Sequence, residues 1–193
     1  MEEAVIYMKN RLGSAFLMSL LALSPVAVQA QDSSQHMDNG ASKMMKSADA
    51  HFAMKAAQGG MAEVKMGQLA ADKAGSPDVK AFGQQMVDDH TKANDQLKSI
   101  AKDEGMTLPG DVNQKQQAMH DRLSKLSGAD FDKQYVKSMV MDHQEDVKDF
   151  QKEANSGKDE KIKSFASQTL PTLQQHLDKI KSIQSKMGSG SSM

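Results

Sequence analysis

Five residues of metal-binding type occur at positions that the helical pattern places on the inner faces of four predicted helices. They are Glu63, His90, His143, Asp146 and His176. An ionised carboxylate in such a position costs several kcal/mol unless it is paired or bound to a metal. Imidazole and carboxylate groups together suit Fe, Mn, Zn and Cu. The set therefore predicts one divalent transition metal, held near the middle of the helices by two carboxylates and three imidazoles.

The same five residues also fit a purely structural interpretation. Buried Glu–His and Asp–His hydrogen bonds can specify the packing of helices without any metal. Asp89 and Asp142 directly precede two of the histidines. There they either orient the imidazoles or remain solvated charges, and the pattern favours solvated charges on the helix surface. His51 and His120 are expected on the surface as well.

Four long helices and one short helix must position these residues. Apolar residues recur with helical spacing over five stretches, at about 49–74, 77–104, 113–126, 130–156 and 159–187. Gly59 and Gly60 fall inside the first helix and are expected to permit close helix approach. Pro171 lies inside the last helix, where it removes one backbone hydrogen bond and is expected to kink or split that helix.

The connections between these helices predict the topology. Short connections at 75–77 and 157–158 give two antiparallel hairpins, and the connection at 105–128 is long enough to cross the length of a bundle. A shift of 83 residues aligns the two hairpins without a gap, so that Glu63 corresponds to Asp146. We therefore predict an all-α, ferritin-like four-helix bundle, with a long crossover that carries the short extra helix.

The composition excludes several classes of function. Lys and Arg number 24 against 25 Asp and Glu, a balance that argues against a nucleic-acid partner. The chain has 0 cysteines, which excludes disulfides, thiolate metal sites and cysteine catalysis. It contains no H-E-x-x-H, no G-x-S-x-G and no Gly-rich phosphate loop. Nothing in the sequence gives a positive reason to regard the protein as an enzyme.

The N-terminal residues have the pattern of a secretory signal peptide. Lys9 and Arg11 precede an apolar run at 12–23, and small residues lead to a cleavage position after Ala30. Translation starts either at the first residue or at Met8. An uncleaved membrane anchor is the alternative, but the run is short for a span. We expect a periplasmic or secreted protein with no integral membrane span after cleavage; the sequence indicates no particular protein partner.

The remaining organisation follows from composition. After the signal peptide at 1–30 we expect a flexible linker at 31–47, a bundle domain at 48–187 and a disordered tail at 188–193. The chain has 16 methionines. Thioether and imidazole groups in the linker could bind Cu(I) or Ag(I), and those residues are His36, Met37, Met44 and Met45. Methionines within the helices are interpreted as core filling.

Four segments resemble a bacterial family catalogued as domain of unknown function 4142. They are GGMAEVKMGQLAADKA at 59–74, VKAFGQQMVDDHTKANDQL at 79–97, GADFDKQYVKSMVMDH at 128–143 and LPTLQQHL at 170–177. The resemblance covers about residues 49–183. It implies a ferritin-like, exported protein and implies no established activity. Di-iron members of the ferritin-like group carry Glu-x-x-His. In this chain the position three residues before the histidine is Val87 for His90 and Leu173 for His176. A mononuclear site, or none, therefore fits better than a di-iron centre.

Three functional hypotheses follow, of which the third is the binding of Cu(I) or Ag(I) by the linker residues named above. The first is an exported bundle that binds one transition metal, either for metal handling or for protection against oxidative stress in the cell envelope. The second is a non-catalytic periplasmic stress or interaction protein whose buried polar cluster is structural.

Overall fold

The computed structural model describes residues 33–189, and it describes side chains from residue 48 onward. Five α-helices make up this part of the chain: α1 (Ser33–Lys73), α2 (Pro77–Asp103), α3 (Gln114–Leu123), α4 (Gly128–Ser156) and α5 (Glu160–Ser189). The described residues contain no strand, only an isolated bridge between Ala74 and Gly128. The predicted all-α, ferritin-like bundle, with a short helix in its crossover, is confirmed. The signal peptide expected at 1–30 lies outside the described residues.

Helix α1 differs from the sequence prediction at its N-terminal end. We expected a flexible linker at 31–47 and a helix from about residue 49, whereas α1 already begins at Ser33. The additional segment contains several Ala, Met and Lys residues, which favour helix by their intrinsic propensity. The segment is polar, and helix prediction from periodicity depends on an apolar face, so the periodicity did not indicate a helix there.

Helix α5 continues through Pro171 as a single helix from Glu160 to Ser189. Of the two expected effects of the proline, a kink or a split, the split does not occur. A proline in a helix interior costs about 3 kcal/mol. The helix carries Leu170, Leu173 and Ile180 into the core, and a fully buried apolar side chain of this size contributes about 1.5–3 kcal/mol. Several such side chains offset the cost of the proline.

The core consists of two apolar clusters, one toward each end of the bundle. One cluster is centred on Phe82, Phe131 and Tyr135, and the other includes Phe52 and Phe150. Along each long helix, the buried polar side chain lies between residues of the two clusters. The four residues of this polar layer are Glu63, His90, His143 and His176. A layer of four polar side chains therefore lies between the two apolar clusters, and Asn94 and Ser138 are further buried polar residues.

The two hairpins are joined by a reciprocal pair of aspartate contacts. Asp132 on α4 accepts hydrogen bonds from the backbone N–H of Gly75, at 3.1 Å, and of Ser76, at 2.8 Å. Asp49 on α1 accepts the same bonds from Lys158, at 2.9 Å, and Asp159, at 2.6 Å. All three pairs of equivalent positions are 83 residues apart. The internal repeat predicted from the sequence is thus visible in the capping contacts.

Helices α1 and α2 approach closely at small residues. A Cβ atom on Gly67 would lie 2.5 Å from the carbonyl oxygen of Gly83, so only glycine fits there. A Cβ atom on Gly60 would collide with the side chain of Asn94. Gly59 is different, because its nearest neighbour would be Asp146 Oδ1 at 4.0 Å. Of the pair Gly59–Gly60, only Gly60 serves close helix approach. Within residues 33–189 no helix is both long enough and apolar enough to cross a bilayer.

Candidate metal centre

Three histidines from three helices converge in the polar layer. His90 comes from α2, His143 from α4 and His176 from α5. Their ring centroids lie 5.4–5.8 Å apart, and one nitrogen of each ring lies within 4.8 Å of the others. His143 and His176 are 0% exposed and His90 is 6% exposed. The edge of this group packs against Phe82, whose centroid is 6.1 Å from that of His143. The three imidazoles are therefore enclosed by protein.

Each imidazole has one nitrogen held by a hydrogen-bond acceptor. His90 Nδ1 lies 2.9 Å from Glu63 Oε2. His143 Nδ1 lies 3.0 Å from the carbonyl oxygen of Met139, and His176 Nε2 lies 2.8 Å from Asp89 Oδ2. A carbonyl or carboxylate oxygen can only accept, so each of these nitrogens carries the proton. In the neutral ring the opposite nitrogen then presents a lone pair.

Those opposite nitrogens are buried and have no hydrogen-bond partner. They are Nε2 of His90, Nε2 of His143 and Nδ1 of His176. A buried polar atom without a partner costs about 1–3 kcal/mol, and such atoms are rare in folded proteins. There are three of them, one on each of three neighbouring rings, and each has a lone pair that can bind a metal ion. This arrangement suits a metal ion.

The charges around the rings favour neutral histidines on α4 and α5. Burial lowers the pKa of His176 to about 4 and lowers that of His143 as well. For His90, burial is outweighed by the carboxylate of Glu63, which raises the pKa. Burial raises the pKa of Glu63 itself, but the neighbouring imidazoles more than compensate and lower it to about 2. Glu63 is therefore an anion in contact with a histidine from each hairpin.

Four of the five predicted ligands lie together, and the fifth lies to one side. Glu63 Oε1 is 3.3 Å from His143 Nδ1, so its carboxylate sits behind the imidazoles, against their protonated nitrogens. Asp146 is half-buried and is not part of the histidine group. Burial, Glu63 and Asp142 raise the pKa of Asp146 well above its usual range. The two repeat-related carboxyl groups thus occupy different environments.

Two residues that we expected to be solvated charges have other positions. Asp89 contacts His176, so it orients an imidazole, and the surface interpretation is wrong for it. Its partner is 87 residues away in the chain and on another helix, which no local pattern could show. Asp142 is half-buried, and burial raises its pKa to about 6. Sequence reasoning also missed the carbonyl of Met139, although position i−4 from His143 is where a helical carbonyl would be found. Of the two histidines expected on the surface, His51 is exposed and His120 is half-buried.

Two solved structures have similar folds. A DUF305 protein of Streptomyces coelicolor that is thought to be secreted has a TM-score of 0.62 and 14% identity, covering 73% of this chain and 94% of that one. A DUF305 fragment from Deinococcus radiodurans has a TM-score of 0.64 and 12% identity, covering 72% and 96%. At these identities the likeness concerns the fold alone. No curated protein matches the sequence. The model of one family, described as Domain of unknown function (DUF4142), matches residues 34–183. The chain therefore belongs to the DUF4142 family.

Proposed function

We propose that this protein binds one divalent transition metal inside the helical bundle. The ligands are Nε2 of His90, Nε2 of His143 and Nδ1 of His176. One observation carries the proposal: the opposite nitrogen of each ring is fixed as a donor, which leaves three buried nitrogens without partners. Metal-bound histidines usually donate their other N–H to a carboxylate or a carbonyl, and all three rings follow that pattern.

Glu63 and Asp89 act on the metal through the imidazoles in this proposal. Each accepts a proton from the far side of a ring, which fixes the tautomer and makes the ligand nitrogen more basic. Asp146 is not needed as a ligand. This assignment refines the five-ligand set predicted from the sequence into three ligands and the supporting carboxylate of Glu63. Asp89 takes the orienting role that the sequence left open for it.

The ligand set favours particular metals. Three neutral imidazoles suit Zn²⁺ and Cu²⁺, and the affinity series places these above Fe²⁺ and Mn²⁺. Three protein ligands also leave one position of a tetrahedral ion free for water or another ligand. We propose a role in metal handling or in protection against oxidative stress in the cell envelope. The name of the Streptomyces relative, which is thought to be secreted, supports an exported protein.

A purely structural polar layer is the competing interpretation. A layer that serves packing alone is expected to satisfy its buried polar atoms, since leaving them unpaired destabilises the fold. Here the carboxylate and carbonyl acceptors satisfy only one side of each ring. The unpaired side is the feature that a structural role does not explain.

The proposal is tested by titrating the metal-free mature protein with Zn²⁺ and counting bound ions by elemental analysis after desalting. We expect one tightly bound ion per chain. We expect His143→Ala and His176→Ala each to abolish tight binding, and His51→Ala, which changes an exposed histidine of α1, to retain it. Equal binding by all four proteins, or binding by none, would contradict the proposal.

A further inference from the structure

A hollow between α1, α3 and α4 has Glu63 in its lining. It has a volume of about 140 Å³ and reaches exposed side chains such as Glu145. A second, smaller cavity of about 20 Å³ lies against His90 and has room for one water molecule. Gly59, Glu63 and Asp146 line both spaces. The two spaces therefore share part of their lining, and the smaller one touches an imidazole of the site.

The lining of the hollow is acidic toward the interior. Glu63, Asp142 and Asp146 contribute carboxyl groups to it. Lys55 and Lys115 are the cations of the lining, and Lys55 already pairs with Glu145 and with Asp149, the latter at 2.6 Å. A half-enclosed space with acidic walls concentrates cations and raises their rate of association.

Glu63 provides an independent sign that a cation passes here. Its side chain is 3% exposed, and its Oε1 atom accepts no hydrogen bond. The nearest candidate donor, His143 Nδ1, gives its proton to Met139. Glu63 therefore presents a carboxylate oxygen without a hydrogen bond at the boundary of the two spaces. Its other oxygen lies 2.9 Å from His90 Nδ1.

We infer that this hollow is the route by which a divalent cation reaches the three histidines. Asp142 attracts the hydrated ion into the hollow, Asp146 offers it a carboxyl oxygen, and Glu63, which lines both spaces, passes it on toward His90. These carboxylates do not form a ligand group of their own, because among the described residues the only such group is formed by the histidines. This inference rests on the metal site proposed above.

Gly59 offers a way to close the route without touching the ligands. The nearest atom that a Cβ there would meet is Asp146 Oδ1, at 4.0 Å, so a Cβ atom fits without displacing backbone. Replacing a helical glycine also removes a penalty of about 0.5–1 kcal/mol. Gly59→Leu is therefore expected to fold at least as stably as the wild type, and its side chain would occupy the lining that the two spaces share.

The experiment measures the rates of Co²⁺ binding and release by stopped-flow absorption, with the equilibrium stoichiometry measured on the same samples. We expect Gly59→Leu to slow both rates by the same factor while one ion still binds. We expect the double variant Asp142→Asn/Asp146→Asn to slow binding about tenfold and to lose most of its dependence on ionic strength. Asp88→Asn, which removes an exposed charge from α2, is the matched control and should bind at the wild-type rate.

The outcomes separate the route from the site. If one Co²⁺ binds and neither the Gly59 nor the aspartate variants slow it, the ion enters elsewhere, for example past Asp89, and the inference is wrong while the metal site stands. If the wild type binds no Co²⁺, the metal site and the route both fail. Circular dichroism and thermal melting of Gly59→Leu verify the fold, and the aspartate variants test the route by a separate substitution.

Discussion

The hairpin formed by α1 and α2 and the hairpin formed by α4 and α5 share a framework but differ in the polar layer. Both carry a capping aspartate at the same register, Asp49 and Asp132, each bound to the loop of the other hairpin. The histidines do not repeat. The positions 83 residues from His90, His143 and His176 are occupied by Leu173, Gly60 and Ala93.

This difference teaches that the candidate site is built where the repeat is broken. Residues kept in both hairpins position the helices. Residues present in only one hairpin supply the nitrogen atoms of the candidate metal site. Two of the three counterparts are small, Gly60 and Ala93. The candidate metal centre is therefore a property of the pair of hairpins and of neither hairpin alone.

Glu63 and Asp146 show the same contrast within one repeat-related pair. The imidazoles lower the pKa of Glu63 to about 2. Burial, together with two neighbouring carboxylates, raises the pKa of Asp146. The same register therefore gives an anion that stabilises the layer in one hairpin and a carboxyl group whose neutral form is favoured in the other.

The largest expected effect comes from removing the first of these carboxylates. Glu63→Ala leaves the Nδ1 proton of His90 without its acceptor, and breaking a buried charged pair costs about 3–5 kcal/mol. Asp146→Asn should change the free energy of unfolding by less than about 1 kcal/mol, since it removes a carboxylate that repels its neighbours. Urea denaturation of the metal-free proteins at pH 7 measures both. Equal losses of unfolding free energy for the two substitutions would contradict the proposed difference between Glu63 and Asp146.

The second prediction concerns pH and the histidine of α5. The pKa of His176 is about 4 in the fold, below its usual 6.5. Between these values the unfolded chain binds more protons, so stability is lost as the pH falls from about 6.5 to 4, by up to about 3 kcal/mol. In metal-free protein, His176→Leu should remove this part of the pH dependence.

Urea denaturation at several pH values gives the comparison, with His51→Leu as the control that changes an exposed histidine. Other groups oppose the trend, because Asp142 has a raised pKa. The test is therefore the difference between variant and wild type. A difference that stays constant from pH 7 to 4 would show that His176 is not held neutral by the fold.

A third prediction uses a second break in the repeat. Glu153 lies beside Asp49, whereas the equivalent neighbour of Asp132 is Ala70. Burial and the charge of Asp49 raise the pKa of Glu153 to about 7. Between pH 4.5 and 7 the folded protein holds a proton on Glu153 more often than the unfolded chain does. Above pH 7 the ionised side chain therefore destabilises the folded state. Glu153→Gln should stabilise by about 2 kcal/mol at pH 8, and the gain should disappear at pH 5. A gain that does not depend on pH would exclude this cause.

The smallest expected effects test the shared framework. Asp49→Ala and Asp132→Ala each remove an acceptor for two backbone N–H groups, and we expect each to cost about 1 kcal/mol. Thermal melting near pH 5, where Glu153 is largely protonated, compares the two on equal terms. Losses that differ severalfold would show that the two capping contacts are not equivalent.

The sequence predicted much of this framework because the relevant signals are local. Apolar spacing gave the five helices, and the 83-residue shift gave the equivalence of the hairpins. The N-terminal end of α1 was missed because the segment after Ser33 has no apolar face, and the continuity of α5 was missed because packing offsets the cost of Pro171. At both places the local propensity and the pattern of buried residues indicated different secondary structures.

The candidate site was only partly accessible to the same reasoning. Inner-face position identified the three histidines and Glu63, because burial of a polar side chain follows from periodicity. Asp89 lies off that face and was assigned to the surface, yet it contacts His176 from a different helix. Which nitrogen of each ring is free also depends on acceptors such as the carbonyl of Met139. Such details arise from the packing of helices and leave no trace in spacing.

The most direct test of the central claim is the metal content of the mature protein, exported and purified without a tag or chelator. X-ray absorption at the edge of the metal found then identifies its ligands. The account predicts a near-stoichiometric ion, Zn or Cu in the first place, with a shell of imidazole nitrogens that is lost in His143→Ala. Copper bound by sulfur, kept in His143→Ala but lost when Met37, Met44 and Met45 are replaced by Ala, would contradict the account. A protein that holds no metal, even after reconstitution, would leave the three histidines as a structural layer.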